Sequence, residues 1–153
     1  MTSKILTDHV FKLERWDMDK IAAVMHTARD YDNAFGYTVQ KKSKIIENLL
    51  LGFPQAFNVT VEPTNNGYLF LHGYQDVKAI SDFVQNNFCL KSMSQFDCDT
   101  DHGIYNPFNG KAYKNLTGFN KELFDHSQPI DVYVLKKNIP QAILDTMHDR
   151  LIY

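Results

Sequence analysis

Cysteine is nearly absent. Cys89 and Cys98 are the two in 153 residues, too few for a disulfide-stapled scaffold. Seven glycines and five prolines exclude collagen-like and low-complexity chains. Charge of one sign is lacking as well: 16 basic against 18 acidic side chains give a net charge of −2, without the overall positive field of a nucleic-acid or anionic-membrane binder. No apolar run is long enough to span a bilayer, and the opening MTSKILTDHVFKLERWD has no apolar core of a signal peptide. These absences predict an intracellular, cytoplasmic protein in a reducing compartment. Also missing are a G-x-x-x-x-G-K-[ST] phosphate loop, a G-x-G-x-x-G turn, an H-E-x-x-H pair and a G-x-S-x-G elbow, which weakens the case for an enzyme.

What remains suffices for a core. With 44% hydrophobic and 22% charged residues the chain is neither disordered nor fibrous, and its length is that of one domain, expected over 1–153. Asn, Lys, Ile, Phe and Tyr make up about a third of it, a bias of AT-rich genomes against usual composition. A low-GC bacterium, or a virus of one, is the expected origin.

Periodicity orders the elements. Val10, Phe11 and Leu13 suggest a first strand before Asp17, which can cap a helix carrying Met18, Ile21, Met25 and Ala28 toward the Tyr31-to-Gly36 region. A second helix with Ile45, Ile46, Leu49 and Leu50 stops at Gly52, with Pro54 beyond. In 57–74, Phe57, Val59 and Val61 alternate with polar residues and Asn66-Gly67 predicts a tight hairpin turn. Asp76 opens a helix with Val77, Ile80, Val84 and Phe88 on one face, and a weak strand follows to about Phe96. From Asp97 to Gln128 the chain reads as loop apart from a hairpin turning at Asn109-Gly110. Ile130, Val132 and Val134 predict a strand, and Pro140 starts a final helix with Ile143, Leu144, Met147 and Leu151. The expected fold is α+β: an antiparallel sheet with helices on one face. Its βαββαβ, ferredoxin-like (split βαβ) core occupies 1–96, and 97–153 form a hairpin, strand and helix extension.

Three constellations carry candidate chemistry. The run Asn66-Gly67-Tyr68-Leu69-Phe70-Leu71-His72-Gly73 partly resembles the RNP1 motif of RNA-recognition domains, departing from it at Asn66, Leu69 and Gly73. The resemblance implies Tyr68 and Phe70 as a base-stacking platform, with His72 beside them and Lys41, Lys42 and Lys44 as phosphate contacts. Everything turns on register. A two-residue loop pairs Val61 with His72 and turns both rings to the face of Val59 and Val61, whereas a bulged three-residue loop pairs Val61 with Leu71 and turns them outward.

The second constellation is Asp97, Asp99, Asp101 and His102, whose alternate carboxylates can converge on a divalent cation. The start of the run resembles an EF-hand loop, but Phe108 stands where the bidentate Glu belongs. The third is a set of aromatics in element ends and loops, Trp16, Tyr105, Phe108 and Tyr113, of the residue types that anchor protein interfaces. Gly103-Ile104-Tyr105 with the following Asn109-Gly110 is similar to the hairpin of GIY-YIG nucleases, but the spacing is short and the second signature is replaced.

Weighed together, these residues favour a non-enzymatic interaction or regulatory module that binds a protein partner. Such a module would be a phage- or mobile-element-type accessory or inhibitor protein, with no cofactor and with self-association open. Single-stranded RNA or DNA binding on the sheet is the second reading. A metal-dependent hydrolase or nuclease is the third.

Overall fold

The computed structural model describes residues 10–32, 35–52, 57–126 and 129–136, together with Ala142, Asp145 and Thr146. The final helix expected over 140–151 lies outside the described residues apart from those three.

Local chemistry starts and stops the elements. Strand β1 (Phe11–Trp16) runs into Asp17, whose carboxylate accepts from the Lys20 N–H at 2.8 Å and caps helix α1 (Met18–Met25). Ile21 and Val24 form the buried face of α1. This helix is shorter than its apolar spacing suggested, because Arg29 and Asp30 leave it to form a two-residue strand, β2. Thr38 caps α2 (Val39–Leu50), and the chain leaves that helix through Gly52, whose φ of +72° suits a residue without Cβ.

Strands β3 (Thr60–Thr64) and β4 (Gly67–His72) form the expected hairpin. Helix α3 (Tyr74–Val84) then begins two residues before Asp76. Gly73 makes that early start: it holds φ +86°, and a Cβ there would run into the Asn58 carbonyl oxygen. Farther on come β5 (Cys98–Thr100), β6 (Gly103–Tyr105), α4 (Gly118–Asp125) and β7 (Ile130–Leu135), with 3-10 turns at 94–96 and 113–115.

Among the described residues the fold is α+β, with helices packed on a five-stranded sheet and a separate two-stranded sheet formed by β5 and β6. Strand order in the large sheet is β1-β7-β3-β4-β2. That sheet is mixed: β1/β7 and β3/β4 are antiparallel, β3/β7 and β2/β4 parallel. It therefore departs from the all-antiparallel arrangement expected within 1–96. The reason lies in two segments. Residues 91–96 are mostly polar and Ser92 sits at φ +58°, which interrupts an extended run, so no strand forms there. Ile130, Val132 and Val134 are all buried and alternate with half-buried Asp131 and Tyr133, so β7 takes a central place between β1 and β3.

The hairpin turns one residue earlier than expected, through Asn65-Asn66, with Thr64 paired to Gly67. Val61 consequently faces Phe70, and a bulge beside Thr60 lets Thr60 face His72. Side-chain parity follows the first of the two registers considered above: Tyr68 and Phe70 turn to the face of Val61. One continuous cluster of buried side chains runs from Trp16 through Ile46, Val61, Phe70, Ile80 and Phe83 to Phe124 and Val134.

The long excursion is more structured than its polarity implied. Its hairpin turns at Asp101-His102, between β5 and β6, rather than at Asn109-Gly110. The latter pair docks instead on Leu90, whose carbonyl accepts from the Gly110 N–H at 2.7 Å while its own N–H donates to the Lys111 carbonyl at 2.8 Å. Helix α4 was invisible in the pattern because it buries a single residue, Phe124.

Candidate functional site

The tertiary structure puts the members of the proposed nucleic-acid set in different surroundings. Phe70 has no exposed surface; its ring stands edge-on to Trp16 at 6.2 Å and to Tyr74 at 5.5 Å, so it is a core residue and not a stacking platform. Tyr68 is half-buried with its ring 5.1 Å from that of Trp16, and Lys20 lies 5.6 Å above it. Register is the physical cause, since a hairpin shifted by one residue would have turned both rings outward. Each lysine of the basic cluster also has an internal partner. Lys42 pairs with Asp82 at 2.8 Å, Lys44 with the buried Glu47 at 2.7 Å, and Lys41 lies 3.9 Å above the Tyr37 ring.

Lys41 belongs to a polar cluster at the start of α3. The Tyr37 hydroxyl donates to Asp76 at 3.2 Å, and His72 Nδ1 lies 2.9 Å from the Asn58 carbonyl oxygen. Burial, reinforced by the Asp76 carboxylate, pushes the Tyr37 phenol up to about 12. Burial also raises the Asp76 carboxyl above its ordinary value, against the opposing pull of the Tyr37 hydrogen bond and of Lys41 and His72. A tyrosine at about 12 keeps its proton at neutral pH, so the pair acts as a hydrogen-bonded clamp between the 35–41 segment and α3.

The acidic set does not assemble either. Among the described residues no three His, Cys, Asp or Glu side chains converge as metal ligands. Asp97 accepts instead from the Asn106 amide at 2.8 Å. Asp99, Asp101 and His102 stand exposed on β5 and the turn, where Thr100 closes the loop by donating to the Gly103 carbonyl at 2.6 Å. The Asp97 carboxylate is taken up by Asn106 and the turn is closed by Thr100, so the run does not stand as one set of ligands.

The aromatic candidates divide into core and surface. Trp16 and Phe108 are 1% exposed: Trp16 donates to Glu14 at 3.0 Å, and Phe108 packs edge-on against Phe96 at 4.6 Å. Tyr113 is half-buried, hydrogen-bonded to Asp125 at 2.6 Å and packed against Phe83 and Phe124. Burial and Asp125 raise its phenol above the ordinary value despite Lys121. These three are structural. Tyr105 alone of the set is open, at 57% exposure, and beside it on β6 is Ile104 at 70%. In the sequence Ile104 stood out only within the Gly103-Ile104-Tyr105 run and not as an anchor, although its place next to an acidic turn could have signalled an apolar residue left outside.

What distinguishes this hairpin is a firm base under an exposed tip. All six residues of β5 and β6 are exposed. Its flanks are fixed by side chains that bind backbone. Asn109 accepts from the Met93 N–H at 2.8 Å, Asn106 donates to the Met93 carbonyl at 2.7 Å, and Glu47 accepts from the Gln95 N–H at 3.1 Å. Asn106 also accepts from the N–H groups of Phe108 and Asn109. The hairpin therefore presents Ile104, paired with Asp99, on one face and Tyr105, paired with Cys98, on the other, both exposed on a held support, an arrangement suited to recognition. No helix of the described residues is long and apolar enough to cross a membrane.

An anchored, exposed hairpin on an α+β core defines a class of architecture and no reaction. No protein family, curated protein or solved structure matches the chain.

Proposed function

We propose that this chain is a non-enzymatic interaction module, of the accessory or regulatory type, that docks on a protein partner through the 98–105 hairpin. It acts in the cytoplasm of a low-GC bacterium or of a virus-infected one, a setting suggested by the composition. The observation that carries the reading is the exposure of Ile104 and Tyr105 on a hairpin whose flanks are pinned by Asn106, Asn109 and Glu47. Pinning the flanks lowers the ordering cost of binding, an apolar and an aromatic residue supply the anchor, and Asp99 and Asp101 favour a basic rim on the partner.

The test is capture from native lysate with the wild-type chain and with an Ile104→Asp/Tyr105→Ala double variant in parallel. Both residues are surface-exposed, so the thermal midpoint should hold. A partner retained by the wild type should bind the variant at least about thirtyfold more weakly, the effect of losing one hot spot. Equal retention by the two chains would refute the hairpin as the docking element. Retained nucleic acid that leaves on raising salt would favour the second reading instead.

A further inference from the structure

We propose that the outer edge of β1 pairs with β1 of a second copy of this chain, antiparallel and about a two-fold axis at Leu13.

Among the described residues the two edges of the large sheet differ. β2 closes one side with two residues, too short to template another strand. β1 closes the other with six residues in unbroken register to β7, without proline, glycine or bulge. Its hydrogen-bonding phase is readable. The Val10 carbonyl accepts from the Lys136 N–H at 2.8 Å, so in this antiparallel pair Val10, Lys12, Glu14 and Trp16 aim their backbone groups at β7. The backbone groups of Phe11, Leu13 and Arg15 therefore aim away from the sheet.

A second β1 added antiparallel can use those groups in one self-consistent way. Leu13 faces its own copy across the axis as a hydrogen-bonded pair, and Lys12 and Glu14 become the adjacent non-hydrogen-bonded pairs, where side chains lie closest. Lys12 of each chain then meets Glu14 of the other. In the single chain these two are neighbours on one face at 3.7 Å, and their cationic and anionic order reads as its own complement when the strand is reversed. Parallel in-register pairing would oppose like charges. Leu13, 54% exposed in the single chain, gains a partner on the axis. The contact is isologous and closes at two copies, in keeping with point-group symmetry.

Charge reversal tests both the edge and the register, by sedimentation equilibrium of the full chain from micromolar to submillimolar concentration. The wild type should be a dimer at the upper end. Lys12→Glu and Glu14→Lys should each weaken it at least about tenfold, because each sets like charges opposite at two symmetric places. Mixing the two variants should restore association as a heterodimer, since the doubly acidic strand of one then lies against the doubly basic strand of the other. Glu14 also accepts from Trp16, so the thermal midpoint of its variant is measured alongside. Leu13→Asp is the second probe: it leaves Lys12 and Glu14 in place and sets two carboxylates across the axis.

A wild type that stays monomeric overturns the proposal, whether another protein or the chain's own residues take that edge. So does a dimer indifferent to Lys12→Glu and Leu13→Asp, which would lie elsewhere on the molecule. Loss in both charge variants without recovery on mixing, each remaining folded, would overturn the register.

Discussion

Two regions of this molecule are held together by different physics. The sheet with α1, α2 and α3 is joined by apolar burial: Val59, Val61, Phe70, Val77, Ile80 and Val132 lie fully inside one cluster. The 90–125 excursion contributes Leu90, Met93, Phe108, Leu116 and Phe124 to that cluster, but much of its path is fixed by side chains that bind backbone. Ser43 accepts from Lys91, Asn86 from Lys114, Glu47 from Gln95 and Asn109 from Met93. Burial is non-directional and tolerates small shifts, whereas hydrogen bonds set direction and spacing. The region with directed bonds is also the one that presents an exposed hairpin.

Breaking the first region should cost most. Phe70→Ala removes a fully buried ring and should lower unfolding free energy by about 3–5 kcal/mol in urea titrations. Both regions should melt together, because the excursion rests on the same cluster. A loss under about 1 kcal/mol would mean that the ring is not internal, and the hairpin register would have to be redrawn.

The second region should respond more locally. Glu47→Ala leaves the Gln95 N–H without its acceptor and should cost about 2 kcal/mol. Hydrogen exchange should quicken at Gln95 and its neighbours before the sheet amides change. Glu47→Gln keeps an acceptor and should cost less, because Lys44 is half-exposed and its ion pair contributes little. Uniform acceleration across the sheet would erase the distinction between the regions.

The smallest effect falls at their joint. Asp82 on α3 accepts from Lys42 and Lys78, and its backbone carbonyl accepts from the Asn87 N–H at 2.8 Å. Burial alone pushes its carboxyl up, but the two lysines outweigh that and hold it below the ordinary value. A carboxyl depressed in the folded state stabilises above its unfolded pKa, and that stabilisation fades as pH falls through the folded value. Asp82→Asn should therefore cost about 1–2 kcal/mol at neutral pH, and the variant and wild-type stability curves should converge in acid. Parallel curves down to the acid limit would show that the lysines do not act through the carboxylate charge.

Much of the first region was legible in the sequence because its elements carry strong local signals. Asp17 caps a helix, Gly52 ends one, and Ile130, Val132 and Val134 alternate as a buried strand should. The excursion was not legible. Helix α4 buries one residue, β5 and β6 bury none, and the asparagine bonds that fix the path connect residues up to 28 positions apart. The candidate sites suffered for the same reason: lysines that look like a basic patch in line each meet a partner brought by folding, at Asp82, Glu47 or the Tyr37 ring.

Local chemistry by itself determined the cap of α1 at Asp17, the end of α2 at Gly52, the existence of the β3/β4 hairpin, and that the chain folds as α+β, because caps, turns and apolar period act within a few residues. Only the tertiary structure decided strand order, the inward turn of Phe70 and Tyr68, the failure of the aspartates to converge, and the exposure of Ile104 and Tyr105. Those depend on pairing between segments far apart in the chain, where a single residue of register exchanges core for surface.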